Sequence, residues 1–391
     1  MDATTSPLDG ILVADFSRVL AGPLATMHLA DLGATVVKVE RPDGGDETRA
    51  WGPPWTAETS AYFECVNRGK YSVALDLADE DGRAVAAELA RRADVVVENF
   101  RPGTPVRFGL DYETVRRDNP GVVHCSISGF GSGLGADLPG YDFLIQAVGG
   151  LMSITGDPTG EPTKVGVALV DVLTGKDAVI GILAALRARE YTGVGDHVEV
   201  DLLSSLLGGL VNQAAGYLAT GVAPARMGNR HPSIAPYETL QCADGPVAVA
   251  CGNDRQFRRL VEVLGRPDLA DDERFAANSA RVLHREELVH ALEQQLMTAP
   301  AAAWEHRLTR AGVPAGLVGD IGSAIERSGR LGLAPLVDLG EGHVAQVRHP
   351  VRYATNAVAA AAAPPRLGEH TAQILQLLQE GSPLPARRGP A

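Results

Sequence analysis

The sequence predicts an α/β fold in which a large domain, built on a Rossmann-like parallel sheet, is followed by a smaller α+β domain. Three observations carry this reading. From Gly10 to Ser128, short Val-rich apolar runs alternate with helical patterns, as parallel strands joined by helical crossovers require. Two apolar runs joined by Ala243-Asp244-Gly245 read as an antiparallel hairpin. A chain of 391 residues with 45% hydrophobic content can bury more than one core.

Gly10–Ser17 reads as the first strand and Ala21–Gly33 as the helix behind it, with Pro23 suited to the first turn and Gly33 to the stop. Strands follow at Thr35–Arg41 and Ser72–Leu77, an amphipathic helix at Glu80–Ala93, and further strands at Asp94–Phe100 and Val122–Ser128. Ligands on such sheets sit at the carboxyl ends of strands, where Arg18, Arg41, Asn99 and Gly129 fall. The first strand is followed by no G-x-G-x-x-G, and Gly129–Gly140 matches neither that fingerprint nor a phosphate-binding loop, so nicotinamide and ATP readings are rejected. That glycine-rich stretch reads as a plain turn or a lid. A helix over Tyr141–Thr155 then leads to a short strand at Val165–Val170.

The turn-rich stretch Arg226–Pro236 opens the smaller domain, which holds the hairpin Tyr237–Cys242 and Pro246–Cys251. Helices near Asp254–Leu264, Arg285–Met297 and Ala301–Ala311 follow, with a strand near Ala315–Val318. The division expected is thus 1–225 for the large domain, 226–329 for the small one and 330–391 for a return to the large one, ending in a helix near Thr371–Gln379 and a frayed tail.

A formal charge of −13 with no Lys/Arg cluster argues against nucleic acid, though not against an anion that needs only a few local cations. Cys65, Cys125, Cys242 and Cys251 show no C-x-x-C spacing, which indicates reduced thiols rather than a disulfide framework or a zinc site. The first residues lack the basic-then-apolar pattern of an export signal, so the cytoplasm is the expected compartment. Leu202–Ala225 carries no charge over a length that could span a bilayer, but its Ser, Asn, Gln and Gly content fits a helix buried against protein.

The chemistry concentrates in Lys164–Leu186, where an apolar run delivers Asp171 onto the start of a long helix. Unpaired N–H groups and the macrodipole would hold a carboxylate there ionised. Asp171 is then either an N-cap or an anionic nucleophile, with Gly175 leaving room for a bulky partner.

The segments VGVALVDVLTG, GILAALRARE and TGVGDHVEVDLL resemble the centre of the class III CoA-transferases, the CaiB/BaiF family. The resemblance extends to DFSRVLAGP (Asp15–Pro23), LGATVVKVERP (Leu32–Pro42), ENFRPG (Glu98–Gly103) and LGEHT (Leu367–Thr371), in family order. It implies an interlocked homodimer and a nucleophilic Asp171 that passes through a mixed anhydride and an aspartyl-CoA thioester. No metal or permanently bound cofactor is implied; coenzyme A and acyl-CoA are substrates, together with a small carboxylic acid, and no membrane is involved.

By the same resemblance Arg41, Leu75, Asn99, Phe100 and Arg107 match positions that line the CoA site of formyl-CoA transferase. Leu20 stands where that enzyme has a Gln, and its long glycine loop is missing near Arg226–Ile234, which argues against formate or oxalate. Gly228, Asn229, Arg230 and His231 occupy that place and look more like members handling dicarboxylic acids, the Arg-His pair being a turn or a clamp for a distal carboxylate. Arg18, Tyr141 and Asp142 complete the substrate-side candidates. In the sister racemases of alpha-methylacyl-CoA a His precedes the Asp at the place of Tyr141-Asp142, and Tyr is a poor base at neutral pH. Racemase activity and a non-catalytic CoA-binding protein remain the rivals to CoA transfer.

Overall fold

The computed structural model describes residues 6–359 and 362–385. Residues 386–391 of the expected tail lie outside the described residues. The chain divides into two compact units: residues 1–151, 165–222 and 335–391 form the first, and 152–164 with 223–334 the second. Residues 152–164, placed with the large domain by the sequence pattern, therefore belong to the second unit.

The first unit is organised on a six-stranded, all-parallel sheet: β1 (Leu12–Asp15), β2 (Thr35–Glu40), β3 (Lys70–Ala74), β4 (Val95–Glu98), β5 (Val123–Ser128) and β6 (Asp196–Asp201), in the order β3-β2-β1-β4-β5-β6. This is the doubly wound order, in which the direction of winding reverses between β1 and β4. The period of two along each strand sends Ala14, Phe16, Val37, Val39, Tyr71, Val73 and Val96 into one core with Leu89 and Ala90 of the Glu80–Arg92 helix and Ile374 and Leu378 of the Thr371–Gln379 helix. The same period turns Asp15, Lys38 and Lys70 to the opposite face, where all three are buried. On that face the Ala21–Asp31 and Leu169–Thr192 helices meet at Gly175, where an added Cβ would lie 2.7 Å from the Ala21 carbonyl oxygen. Gly175 thus serves close helix packing, not access for a bulky partner.

The LGEHT stretch has a structural role at the outer edge of β3. Ser72 N–H donates to His370 Nδ1 (3.2 Å) and Ala74 N–H to Thr371 Oγ1 (3.0 Å), while Gly368 N–H donates to Ser72 Oγ (2.9 Å). Bonds of this kind occupy edge groups that would otherwise template another strand.

Three expected elements differ. Val165–Val170 is not a strand: its last two residues, Leu169 and Val170, already belong to the Leu169–Thr192 helix, and β6 takes the edge beside β5. Leu202–Ala225 is not one helix but two, Leu202–Gly209 and Val211–Thr220, broken where Val211 turns to φ 39°. Tyr141–Thr155 likewise divides into Asp142–Val148 and Leu151–Ile154, with Gly150 at φ 89° between them. Among the described residues no helix is long and apolar enough to cross a membrane.

The second unit has its own core. An antiparallel sheet, β7 (Tyr237–Cys242), β8 (Gly245–Ala250) and β9 (Ala315–Leu317), packs Leu240, Val247 and Val249 against Leu260, Leu288, Leu292, Trp304 and Leu308 of the surrounding helices.

Candidate active site

A doubly wound sheet opens a crevice where its strand order reverses, because the crossovers on either side leave in opposite directions. Here that is the gap between the loops after β1 and β4. Arg18 N–H donates to Asn99 Oδ1 (3.0 Å) and Asn99 Nδ2 returns a bond to the Arg18 carbonyl (2.8 Å), joining the two loops. Two cavities open beside this link. One of about 260 Å³ is lined by Phe16, Arg18, Arg41, Leu75, Phe100 and Phe108 among others. The other, of about 150 Å³, is lined by Arg18, Asn99, Phe100, Gly140, Tyr141 and Asp171 among others. Arg18 and Phe100 belong to both walls, so the cavities adjoin.

Of the residues expected to hold CoA, Arg41, Leu75 and Phe100 thus share the larger cavity, and Asn99 lies in the smaller one. Arg41 is exposed and spends only its Nε, on the Gly45 carbonyl (3.0 Å). Arg107 is exposed and lies over the Phe108 ring at 4.7 Å, which places it next to the larger cavity without lining it. Both guanidiniums keep donors for an anion. Arg18, by contrast, is ion-paired to Glu47 at 2.6 Å.

The floor of this crevice is a charged layer that no sequence motif announced. Asp15 accepts bonds from the Ser17 and Thr26 hydroxyls (2.5 and 2.6 Å) and from Lys70 Nζ (3.1 Å). Lys38 donates to the Ser17 carbonyl (2.8 Å) and to Asp46 (2.9 Å), and Asp46 takes the N–H of Val19 (3.2 Å). Burial raises the Asp15 pKa, but Lys70, Lys38 and the hydroxyls outweigh it and leave it at about 2. Lysines inside the otherwise apolar runs TVVKVE and KYSVA were the available signal, since buried Lys is rare unless paired.

Asp171 is the third residue of the Leu169–Thr192 helix, not its N-cap; the N-cap is Ala168, which offers no side-chain acceptor. Its carboxylate is half-buried in the smaller cavity, and among the described residues no hydrogen bond or cation compensates it. Burial, and then the charge of Asp142, push its pKa up to about 7. Tyr62, which the sequence reading missed, faces the same carboxylate: burial and then Asp171 raise its phenol to about 12, keeping it a neutral donor at physiological pH. It sits in the short Ala61–Glu64 helix, with Trp51 edge-on to its ring at 5.3 Å.

Asp142 is not free to hold substrate. Its Oδ1 accepts the N–H groups of Val170 (2.8 Å) and Asp171 (3.3 Å), and its Oδ2 accepts from Gln146 Nε2 (2.7 Å). Tyr141 is exposed at the cavity wall. The glycine-rich stretch before it is pinched shut at its neck, because added Cβ atoms at Gly129 and Gly140 would lie 2.6 and 2.4 Å from the other residue's Cα.

The remaining substrate-side candidates lie in the second unit. Gly228 takes φ 61° and Asn229 donates to Thr239 Oγ1 (3.1 Å). Arg230 is committed to Glu286 (2.5 Å) and lies 3.5 Å from Glu238, and His231 Nδ1 accepts the Ser233 N–H (3.1 Å). Arg230 and His231 therefore do not form the open carboxylate clamp that their adjacency suggested, because neighbouring glutamates already satisfy the guanidinium.

Burial drives the Cys125 and Cys251 thiols up to about 12 and raises those of Cys65 and Cys242, although Cys65 is exposed. Among the described residues no group of His, Cys, Asp and Glu could hold a metal ion.

With this geometry in view, the chain was compared with known proteins, and the model of CoA-transferase family III matches residues 8–371. The chain belongs to that family. It is 43% identical over 95% of its length, and 96% of the relative's, to a succinate–glutarate CoA-transferase of Agrobacterium fabrum. It is 45% identical over 81% of its length, and 82% of the relative's, to an acetyl-CoA:oxalate CoA-transferase of Acetobacter aceti. Among solved structures, a CaiB/BaiF family protein from Brucella suis superposes with a TM-score of 0.86 at 44% identity, covering 96% of this chain and 100% of that one. As a CoA-transferase the protein moves CoA from an acyl-CoA donor to a carboxylic acid acceptor.

The pKa of Asp171 yields a stability prediction. Because it is raised on folding, the native state holds a proton that the unfolded chain has released, so stability falls as pH rises from about 4 to about 7. Asp171→Asn abolishes this cost, which linkage sets at about 4 kcal/mol at most. The variant should melt several degrees above the wild type at pH 8, with the gap roughly halved at pH 5 and nearly closed at pH 4; equal melting temperatures at pH 8 would refute the raised pKa.

Proposed function

We propose that Asp171 is the nucleophile of CoA transfer and that the acids exchanged are dicarboxylic. Its carboxylate attacks the thioester carbonyl of the donor, and CoA leaves as thiolate, giving a mixed anhydride. The thiolate then attacks the Asp171 carbonyl, releasing the donor acid and leaving an aspartyl-CoA thioester. The acceptor acid reverses both steps. The observation that carries this reading is an uncompensated carboxylate beside the Arg18–Phe100 wall of the cavity that holds Arg41 and Leu75. A pKa of about 7 leaves much of it ionised at neutral pH and makes it more basic than an ordinary carboxylate.

In this reading the adenine and phosphate end of CoA lies in the larger cavity, with Arg41 and Arg107 on the phosphates and Phe100 and Leu75 against apolar parts, and the thioester enters past Arg18. Tyr62, whose neutral phenol feels the Asp171 charge, is the donor this reading assigns to the oxygen that gains charge as the thioester is attacked. The dicarboxylic preference rests on the succinate–glutarate relative and on relatives from Mus musculus and Homo sapiens named succinyl-CoA:glutarate CoA-transferases, 39% and 38% identical. Oxalate, the acceptor named for the Acetobacter relative, is the shortest acid to include.

We also propose that two copies associate through the Val211–Thr220 helix. None of its residues is buried, although it carries Val211, Tyr217 and Leu218, and an apolar face left open in one copy needs a partner.

Incubation with succinyl-CoA and oxalate, malonate, succinate, glutarate or mesaconate should yield new thioesters by mass. Hydroxylamine added with donor alone should convert Asp171 to a hydroxamate, about 15 Da heavier, as trapping of an acyl-activated acid requires. Absence of the adduct together with near-normal transfer by Asp171→Asn would remove Asp171 from the mechanism. In deuterated water, deuterium at the alpha carbon with no free acid present would instead identify a racemase.

Arg41→Ala and Arg107→Ala should each weaken CoA binding by roughly 1.5 to 3 kcal/mol, the scale of a charge-assisted hydrogen bond, with melting temperature unchanged. Unchanged affinity in both would misplace the nucleotide. Light scattering should give twice the mass of one chain, and a stable monomer at micromolar concentration would count against association.

A further inference from the structure

The Leu169–Thr192 helix begins without a cap of its own: Ala168 precedes it and contributes no side-chain bond to its first N–H groups. A carboxylate from another helix does that work. Asp142 opens the Asp142–Val148 helix, and its Oδ1 takes the N–H of Val170 at 2.8 Å and that of Asp171 at 3.3 Å. Gln146, one turn later and fully buried, donates from Nε2 to Asp142 Oδ2 (2.7 Å) and accepts the Val165 N–H at its Oε1 (2.9 Å). Two residues spaced i, i+4 on a single helix face thus fasten both ends of Val165–Asp171, the segment that carries the reactive carboxylate. That leaves two carboxylates against the backbone of one helix turn, with no cation between them among the described residues.

We propose that Asp142 is the positioning residue of the reaction, fixing Asp171 through its own backbone N–H and favouring the acylated enzyme by charge relief. The inference rests on Asp171 being the nucleophile. When Asp171 attacks, its oxygen bonds the acyl carbon, the C–S bond breaks, and the electron pair leaves on the CoA thiolate. Asp171 thereby loses its charge and its repulsion with Asp142 disappears. The aspartyl-CoA thioester is neutral at this position too, so both intermediates gain relative to the free enzyme. A substrate-binding Asp142 would instead repel an anionic acceptor. The other titratable and charged groups around Asp171 are Tyr141, Arg18 and Arg101 on the cavity walls and Tyr62, whose phenol feels the Asp171 charge, with Lys176 and Asp177 exposed farther along its own helix. Of these charges, only Asp142 contributes to the raised affinity of Asp171 for its proton, after burial.

The test separates cap from charge. In Asp142→Asn the amide oxygen can still accept both N–H groups, while the charge and the bond from Gln146 Nε2 are gone. Its melting temperature should stay within a few degrees of wild type. The acid limb of its kcat/KM profile should fall from near 7 by about one pH unit, and the fraction of enzyme trapped by hydroxylamine in the presence of acyl-CoA should drop about tenfold, the equilibrium equivalent of that shift. Asp142→Ala loses the cap as well, and its kcat should fall further with KM for acyl-CoA little changed. An Asn variant with the wild-type limb and wild-type trapping overturns the proposal. Should that variant not fold, Asp142→Ser, whose hydroxyl can also accept an N–H at a helix start, carries the same comparison, and a wild-type limb with wild-type trapping there overturns the proposal likewise. A wild-type enzyme that gives no Asp171 adduct at all would sink the nucleophile reading instead, so the two failures are distinguishable.

Discussion

The ion layer under the carboxyl ends of β1 and β2, joined by Lys70 from the start of β3, is the constraint on which the rest of the first unit depends. Two lysines with fully buried side chains, Lys38 and Lys70, are held by Asp15 and Asp46, and the adjoining Glu40 holds Arg49 at 2.8 Å. Removing one partner of such a set leaves an uncompensated charge in low dielectric, typically at a cost of about 3–5 kcal/mol. The layer is therefore all-or-none. Its bonds to Ser17 and Val19 also dictate the course of the loop after β1. Val19 sits at φ 71°, a conformation that costs a β-branched residue about 1–3 kcal/mol and persists only where surroundings impose it. Lys38 on the Ser17 carbonyl and Asp46 on the Val19 N–H impose it here.

That loop forms the wall common to both cavities, so the charge layer and the reactive carboxylate are coupled through backbone rather than through contact. The two solve opposite problems. Asp15 is buried with partners and remains ionised far below its usual range, whereas Asp171 is buried without them and is raised to about 7. The same residue type, fully buried with partners in one place and half-buried without them in the other, is held ionised in the first and raised in the second because of what surrounds it. Keeping Asp171 unpaired costs stability. Concentrated strain at a reactive centre, supported by over-determined surroundings, is the usual trade between activity and stability.

The helix Asp142–Val148 adds a second support from the other side. Its Asp and Gln leave only the Asp171 side chain free to move while its main chain is fixed. Were Asp171 acylated and released within one turnover, as proposed, it would gain from such a fixed base, because each attack needs the same short approach.

The sequence by itself determined much of this. Alternating Val-rich runs located all of β1 to β5, with ends off by up to about three residues, since the period of two and the glycine and proline stops are local properties. The motifs around Asp15, Arg41, Glu98 and Asp171 placed the family. What only the tertiary structure decided depends on partners distant in sequence. Val165–Val170 reads as a strand until one sees that its amides are taken by Asp142 and Gln146, about 20 to 30 positions earlier, and that β6 has the sheet edge. Arg230 reads as a substrate clamp until Glu286 and Glu238 are found on it. Asp142, Tyr62 and the buried lysines are ordinary letters in the chain, for a charge acquires its meaning from the groups within a few ångströms, and folding alone brings those together.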